Sequence, residues 1–443
     1  MKRIYSRVFT AIAISAIMLI VAACAQNEAP SPGTAGYPQR ELPTLFITTA
    51  GRPFVDRELW LDSTFTLTGT YEGFEFEGIT GSVRGRGNST WWLGVGKRPL
   101  RFTLDEAHSM LDSGYAERNW VLLANHFDNS LLRNFSAYFL GSLLDGMAYA
   151  PIARNIHLYV NGVYMGVYML SDQIEAGPNR VNITADSDPA ISEYLIERCM
   201  RAPDNGVEHE DFVWVNNLSY EFRFPGSSVR TTAHSDYVQD YFYRVSHAIR
   251  DGDWEAIQSL IDVPSFIDFY IVQELYKNID IAVSSVNMHI RGQGDQRRLY
   301  MGPIWDFDLA AGNAYYQASW VWQRPGEYGY SPQGIWVASQ HYWFRYLLEV
   351  PEFFDAMHER WIEASNNQIP HMIQHLLYTA TTYRAAFERN FERHNVLGMF
   401  TWPNPPEVAE IDTFMGQVDY LVNFLQTRTD WLSAHFAGIA ESR

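Results

Sequence analysis

The sequence predicts an α+β protein with a strand-rich N-terminal half and a helical C-terminal half. In residues 44–110, short alternating segments are separated by glycine-containing turns, a pattern typical of strands. From about residue 235, apolar residues recur at the spacing of a helix face. We therefore expect a folded part at 44–443, with its β-rich portion at about 44–230 and its helical portion at about 231–443.

Each element of the N-terminal half follows from its own pattern. Strands are predicted at residues 44–49, 63–70, 79–86, 97–104, 119–124 and 194–197. Asn161-Gly162 predicts a hairpin turn between 156–159 and 163–170, because both residues tolerate positive φ. Residues 129–144 have apolar side chains at helical spacing, and Asp128 or Asn129 can cap that helix.

In the C-terminal half, helices dominate and one β-hairpin interrupts them. The clearest helices are 236–250 and 263–276, and Asp262 or Ser265 can cap the second. Strands at 286–291 and 299–307 predict the hairpin. Further helices are predicted at roughly 340–360, 364–395 and 408–437.

The N-terminus carries the pattern of an export signal at residues 1–23. Basic residues precede a hydrophobic run of 16 residues at 8–23, shorter than the ~20 that a spanning helix needs. Small residues before Cys24 resemble the lipobox of bacterial lipoproteins, and the alternative is a membrane anchor with an incidental cysteine. We expect an exported protein on the extracytoplasmic face, held by a lipid on Cys24 through a flexible tether at 24–43.

Composition narrows the classes of partner. The net charge of −18 argues against nucleic acid and would suit a basic protein substrate. Besides Cys24 the chain has only Cys199, which we interpret as a buried small hydrophobe. Aromatic residues make up 15% of the chain, which fits either a large aromatic core or exposed rings that bind sugars.

Two acids at the end of the second strand of the predicted hairpin suggest a metal site. Strand alternation would put Ile304, Asp306 and Asp308 on one face. Carboxylates beside bulky apolar residues are costly to bury unless a cation pairs with them. Their oxygens suit Mg²⁺ or Mn²⁺, whereas the alternative is a surface strand that happens to carry two acids.

Cations in the N-terminal half could bind phosphate. Arg84 and Arg86 lie in a glycine-containing turn that can offer N–H groups and guanidinium groups to phosphate oxygens, or can simply be a polar turn. Lys97, at the start of a predicted strand, could face a cleft or could be a solvated surface residue. Arg133, early on an apolar helix, predicts a buried ion pair with Glu197, Glu175 or an aspartate.

Asp280 follows the predicted helix at 263–276 and precedes the hairpin. A carboxylate in such a loop, opposite a metal-binding strand end, can serve as a catalytic base. The alternative is a polar residue beyond a helix end that Lys277 or Asn278 stabilises.

Taken together, these segments resemble one protein family. Seven motifs occur in the order seen in the CotH family, named for a spore-coat protein that is an atypical secreted protein kinase. They are Arg84-Gly85-Arg86-Gly87-Asn88-Ser89-Thr90-Trp91, Lys97-Arg98-Pro99, Leu131-Leu132-Arg133-Asn134, Asn161-Gly162-Val163-Tyr164-Met165-Gly166-Val167-Tyr168, Tyr194-Leu195-Ile196-Glu197, Asn278-Ile279-Asp280 and Gly302-Pro303-Ile304-Trp305-Asp306-Phe307-Asp308.

The resemblance implies an atypical kinase-like fold and transfer of the ATP γ-phosphoryl group to Ser or Thr of a surface protein. Asp280 would be the catalytic aspartate. Asp306 would hold Mg²⁺ or Mn²⁺, and Asp308 is a second candidate ligand that the sequence does not rank below it. The resemblance implies that Lys97 approaches the nucleotide phosphates, with Arg84 and Arg86 near by.

The chain departs from ordinary kinases in two places. Asn287, a candidate second metal ligand, follows Asp280 by seven residues, whereas the kinase catalytic loop uses about five, the position of Ser285. No Gly-x-Gly-x-x-Gly loop precedes Lys97. Two alternative functions therefore stay open, namely a non-catalytic surface protein for binding or adhesion and a carbohydrate-active enzyme with Asp306 and Asp308 flanking a sugar.

Overall fold

The computed structural model describes residues 40–443 except residues 55, 70–73, 95, 112, 201–210 and 316–329. The predicted signal peptide, Cys24 and the first part of the predicted tether lie outside the described residues. Residues 40–43 contact the folded part: the Arg40 N–H donates to the Thr382 carbonyl at 3.0 Å, and the Pro43 carbonyl accepts from the His157 N–H at 2.8 Å. A search of the described helices finds none with the length and apolar character needed to cross a membrane.

Seven strands close into a barrel. In chain order they are β1 (Thr44–Thr48), β2 (Leu61–Thr68), β3 (Phe76–Gly85), β4 (Leu100–Ser109), β5 (Ala116–Leu123), β6 (Ala153–Val160) and β7 (Val163–Asp172). Around the barrel their order is β1-β2-β3-β4-β5-β7-β6. Neighbours are antiparallel except β1 and β6, whose parallel pairing closes the barrel. The predicted Asn161-Gly162 turn joins β6 to β7 and is confirmed.

Strand β5 shows how the barrel joins the rest of the molecule. Trp120 and Leu122 pack inside the barrel, whereas Val121 belongs to the larger core that the helices form. Because successive side chains of a strand point to opposite faces, both faces of β5 are buried. The barrel therefore shares a wall with the helical portion.

A second, five-stranded sheet combines strands from the N-terminal and C-terminal halves of the chain. Its strands are β8 (Tyr194–Arg198), β9 (Phe212–Val215), β10 (Leu218–Phe224), β11 (Val286–Arg291) and β12 (Arg298–Met301), in the order β12-β11-β8-β10-β9. All neighbours are antiparallel. The predicted hairpin is present, but its second strand ends at Met301. Cys199, directly after β8, is buried as expected.

The described helices confirm the predicted α+β class. They are α1 (Ser89–Leu93), α2 (Arg133–Leu143), α3 (Thr232–Asp251), α4 (Trp254–Leu260), α5 (Val263–Tyr276), α6 (Val337–Gln340), α7 (Tyr342–Leu347), α8 (Pro351–Asn366), α9 (Gln368–Thr382), α10 (Arg384–Arg393), α11 (Pro406–Ala409) and α12 (Phe414–Ser442). The carboxylate of Asp262 accepts the Ser265 N–H at 2.9 Å, which confirms the predicted cap of α5.

Helix α2 begins later than the predicted residue 129. Leu131 has φ of +59°, which no helical residue adopts, so the chain turns there before the helix starts. Neither predicted cap stands at the N-cap position, which Leu132 takes. Asp128 still satisfies a free N–H group at the N-terminus of the helix, because its carboxylate accepts the Arg133 N–H at 2.9 Å.

A buried ion pair joins α5 to the long helix α12. The Arg428 guanidinium donates to the Glu274 carboxylate, and both side chains are buried. The same carboxylate accepts the N–H groups of Trp336 and Val337 at 2.6 and 2.8 Å. Arg428 also donates to the carbonyl of Gly334 at 2.7 Å. The pair thus fixes α5, α12 and the segment before α6 together.

We expect Arg428→Met to lower the free energy of unfolding by about 3–5 kcal/mol, because it leaves the Glu274 carboxylate buried without its cation. Chemical denaturation measures this change. Arg250→Met is the matched control, since Arg250 pairs with Asp251 in solvent and its loss should leave the denaturation midpoint unchanged. Equal midpoints for the two variants would contradict the assigned role of the buried pair.

Candidate active site

The segment that carries Asp306 and Asp308 is irregular, so the predicted strand at 299–307 is wrong beyond Met301. Pro303 has no N–H to donate to a strand ladder. Asp306 has φ of +54°, outside the β region. The predicted alternation of Ile304, Asp306 and Asp308 on one strand face therefore does not apply, and the positions of these acids depend on tertiary contacts.

Aromatic side chains anchor this segment between the two acids. Phe307 is fully buried and packs edge-on against Tyr276 of α5, with ring centroids 5.4 Å apart. Trp305 stacks on Tyr138 of α2 at 5.6 Å. Asp306 and Asp308 are only half-buried. The anchored rings thus leave the neighbouring carboxyl groups at the edge of the core, where a solute can reach them.

A buried ion pair holds the other side of the same segment. Arg133 pairs with Asp128 at 2.6 Å, and both side chains have no solvent exposure. The Arg133 guanidinium also donates to the carbonyls of Ala310 and Ala311 at 3.0 and 3.2 Å. Asn134 accepts the Phe307 N–H at 2.6 Å. The predicted buried pair of Arg133 is confirmed, with an aspartate as its partner.

Three further acids surround Asp308. Burial raises the pKa of the Asp308 carboxyl well above its usual value. The charges that raise this pKa further belong, in decreasing order, to Asp306, Asp280 and Asp128. Arg133 already pairs with Asp128, so Asp306, Asp308 and Asp280 form the acidic cluster of the site. Negative charge crowded in this way favours a bound cation.

Asp280 comes close to the other acids through a short 3-10 turn. The turn Ile279–Ala282 follows α5, and the Asn278 side chain accepts the Asp280 N–H at 3.1 Å. Lys277 adopts a left-handed conformation and its N–H bonds back to the last turn of α5. Since Lys277 ends the helix, the half-buried Asp280 carboxyl lies beyond the cap.

Ser285 and Asn287 take different places around the cluster. The Ser285 hydroxyl donates to the Asp306 carboxylate at 2.8 Å. Asn287 is buried, and its amide donates to the Pro303 carbonyl at 3.2 Å. Glu197, opposite Asn287 on β8, accepts the Ser285 N–H at 3.2 Å. The residue at the five-position spacing therefore contacts Asp306 directly, while Asn287 supports the backbone of the segment.

Arg86 is the predicted phosphate ligand that the structure brings to the acids. Burial lowers the pKa of its guanidinium, and the groups that oppose this shift are Asp306, Tyr138, Glu197 and Asp308. Its guanidinium carbon lies 5.4 Å from the centre of the Trp305 ring. Arg86 therefore supplies positive charge beside the acidic cluster.

Arg84 contacts a different part of the structure, the segment before β2. Its guanidinium donates to the Arg57 carbonyl and lies 5.0 Å from the Trp60 ring centre. Arg101, opposite Arg84 on β4, lies over the same ring at 5.7 Å. Its guanidinium pKa is lowered by burial and then by the charge of Arg84. Arg101 is not among the site residues predicted from sequence, although its register with Arg84 follows from the β3–β4 pairing.

Lys97 is placed differently from its prediction. It lies in a turn three residues before β4 and is buried. Burial lowers the pKa of its amine to about 7, and Asp128 is the acid that opposes the shift. The amine lies 5.3 Å from the Tyr168 ring centre and has no hydrogen-bond partner among the described residues. Lys97 thus interacts with Asp128, whereas Arg86 interacts with Asp306 and Asp308.

The donor set is compatible with a divalent cation bound together with phosphates. No group of three or more His, Cys, Asp and Glu side chains that could hold a metal ion by itself is found where the structure describes the chain. Mg²⁺ sites that bind nucleotides need only one or two carboxylates, because phosphate oxygens and water complete the shell. Burial and then the charges of the neighbouring acids raise the pKa of Asp308, and such an ion would neutralise the charge of those acids.

Comparison with known families agrees with the order of motifs in the sequence. The sequence model described as CotH kinase protein matches residues 83–432. This range covers most of the chain and includes each candidate residue from Arg84 to Asp308. A search of curated proteins finds no match. The chain therefore belongs to the CotH family.

Proposed function

We propose that this protein is an atypical kinase that transfers the γ-phosphoryl group of ATP to Ser or Thr hydroxyls of a surface protein. The observation that supports the proposal most is the acidic cluster of Asp306, Asp308 and Asp280 beside the guanidinium of Arg86. Phosphoryl transfer needs positioning and charge neutralisation more than covalent help. Family membership agrees with this chemistry.

Each residue has a distinct role in the proposal. Asp280 accepts the proton of the acceptor hydroxyl on a carboxylate oxygen and orients that hydroxyl. Arg86 donates to phosphate oxygens and offsets their charge. Arg84 and Arg101, which lie opposite each other on β3 and β4, are farther away. A bound Mg²⁺ or Mn²⁺ would neutralise the phosphates, and Asp306 and Asp308 would hold it.

The supporting contacts keep these groups in place. The Ser285 hydroxyl fixes one oxygen of Asp306. Asn287 holds the Pro303 carbonyl ahead of the acids. Asn134 holds the Phe307 N–H between the two acids. We assign Asn287 a positioning role and leave the metal to the two aspartates. The kinase-like fold is part of the same proposal.

We expect Asp306→Ala to abolish protein labelling from radioactive ATP with Mn²⁺, because the variant loses a carboxylate of the proposed metal site. Circular dichroism should show an intact fold, since the half-buried carboxyl is not a core group. Asp295→Ala is the matched control, because Asp295 is an exposed acid at the β11–β12 turn. Labelling that survives in Asp306→Ala would remove the proposed mechanism.

For Asp280→Asn we expect a fall in transfer rate of about 10²–10⁴-fold, the usual contribution of a general base. Nucleotide binding should persist, because the proposal gives Asp280 no phosphate contact. The thermal shift on adding ATP and Mn²⁺ measures that binding. A non-catalytic surface protein would show neither labelling nor a shift, and that result in the unmodified protein would favour the binding alternative.

We also propose that the protein is exported and anchored by a lipid on Cys24. The signal-like residues 1–23 and the small residues before Cys24 support this assignment. We expect radioactive palmitate fed to cells to label the protein and to label no Cys24→Ala variant. The variant should leave the membrane fraction, because it no longer carries the lipid that anchors the protein. Unchanged labelling of the variant would contradict the anchor.

A further inference from the structure

A cavity of about 610 Å³ lies at the end of the barrel where β1 and β6 begin. Helices α2 and α9 form its other side. Six of the residues that line it are Phe135, Phe139, Arg154, Asn155, His375 and Tyr378. The mechanism proposed above uses none of the six.

The cavity and the acidic cluster lie on different faces of α2. Asn134 and Gly141 face the 302–308 segment, through the Phe307 N–H and the Ile304 side chain. Phe135 and Phe139 line the cavity instead. At about 100° per residue, the second pair lies roughly a third of a turn around the helix from the first. The cavity is therefore a second site, separated from the first by α2.

Asn155 is the polar group that this cavity leaves unsatisfied. It lies on β6, and only 6% of the residue is exposed. Neither its amide nitrogen nor its amide oxygen has a hydrogen-bond partner among the described residues. Buried side-chain amides are nearly always bonded, because an unpaired donor or acceptor costs free energy. Asn155 thus offers an adjacent donor and acceptor to an occupant of the cavity.

Aromatic side chains line the same cavity as Asn155. His375 stacks on Phe135, with ring centroids 5.3 Å apart, and lies 4.1 Å from Phe139. Burial and then the charge of Arg154 lower the pKa of His375, so its ring is neutral at neutral pH. Flat rings gain from offset or edge-to-face contact with such walls. The lining therefore suits a flat aromatic molecule.

We propose that this cavity binds a small planar aromatic ligand that presents a neighbouring donor and acceptor, such as a carboxamide or nucleobase edge, to the amide of Asn155. The ligand's donor would pair with the Asn155 oxygen and its acceptor with the Asn155 nitrogen, while the ring packs on Phe135, Phe139 and Tyr378. This geometry rejects a ring of the same shape without polar atoms, because Asn155 would stay unpaired.

Benzamide and cumene test the proposal on the full-length protein, since each is a benzene ring with a branched substituent of three heavy atoms and only benzamide carries the amide edge. Isothermal titration should give a Kd for benzamide at least about tenfold lower than for cumene. Adenine serves as the second probe. Tighter binding of adenine than benzamide assigns the site to nucleobases, and the reverse assigns it to carboxamides.

Asn155→Leu supplies the second measurement. Leucine keeps the volume and removes the unpaired amide, so the variant should fold and should remain as stable as the unmodified protein. It should bind benzamide about as weakly as cumene. Asp306→Ala should keep benzamide binding unchanged, so failure of the kinase proposal would leave this result intact. Equal affinity of the two probes, no binding of either, or full benzamide affinity in Asn155→Leu would overturn the proposal.

Discussion

The buried ion pair of Asp128 and Arg133 is the interaction on which the candidate active site depends. It forms where the chain leaves the barrel and enters α2, and the same guanidinium reaches the carbonyls of Ala310 and Ala311. Arg133 thereby holds the start of α2 against the segment of Ala310 and Ala311, which lies far away in sequence. An ion pair that is excluded from solvent is stable only when its remaining polar atoms are hydrogen-bonded. Here carbonyl and hydroxyl groups supply those hydrogen bonds.

Around this anchor the site gathers more negative charge than its fixed cations balance. The charges of Asp306 and Asp280 act on Asp308, and Arg86 interacts with Asp306 and Asp308. Such crowding raises the free energy of the site without a ligand and favours an occupant that brings positive charge. A divalent ion carried by a nucleotide would meet that need. The electrostatics of the site and family membership both support the proposed chemistry.

Helix α2 divides the molecule's two candidate binding regions. One face supports the acidic segment through Asn134, and the next face carries Phe135 and Phe139 into the cavity. Tyr138 lies between them, because it lines the cavity and stacks on Trp305. The cavity and the acidic segment therefore lie against two sides of the same helix.

Periodicity and turn residues in the sequence determined the α+β class, the barrel strands, the Asn161-Gly162 turn and the cap of α5, because each depends on neighbouring residues. The motif order also identified the family. The course of residues 302–308 was decided only by tertiary structure, since a left-handed Asp306 and buried Phe307 depend on Asn134 and Tyr276, which are remote in sequence. The same reason explains why Arg86 rather than Lys97 approaches the acids: side chains from separate elements meet only after packing, and no local pattern encodes that meeting.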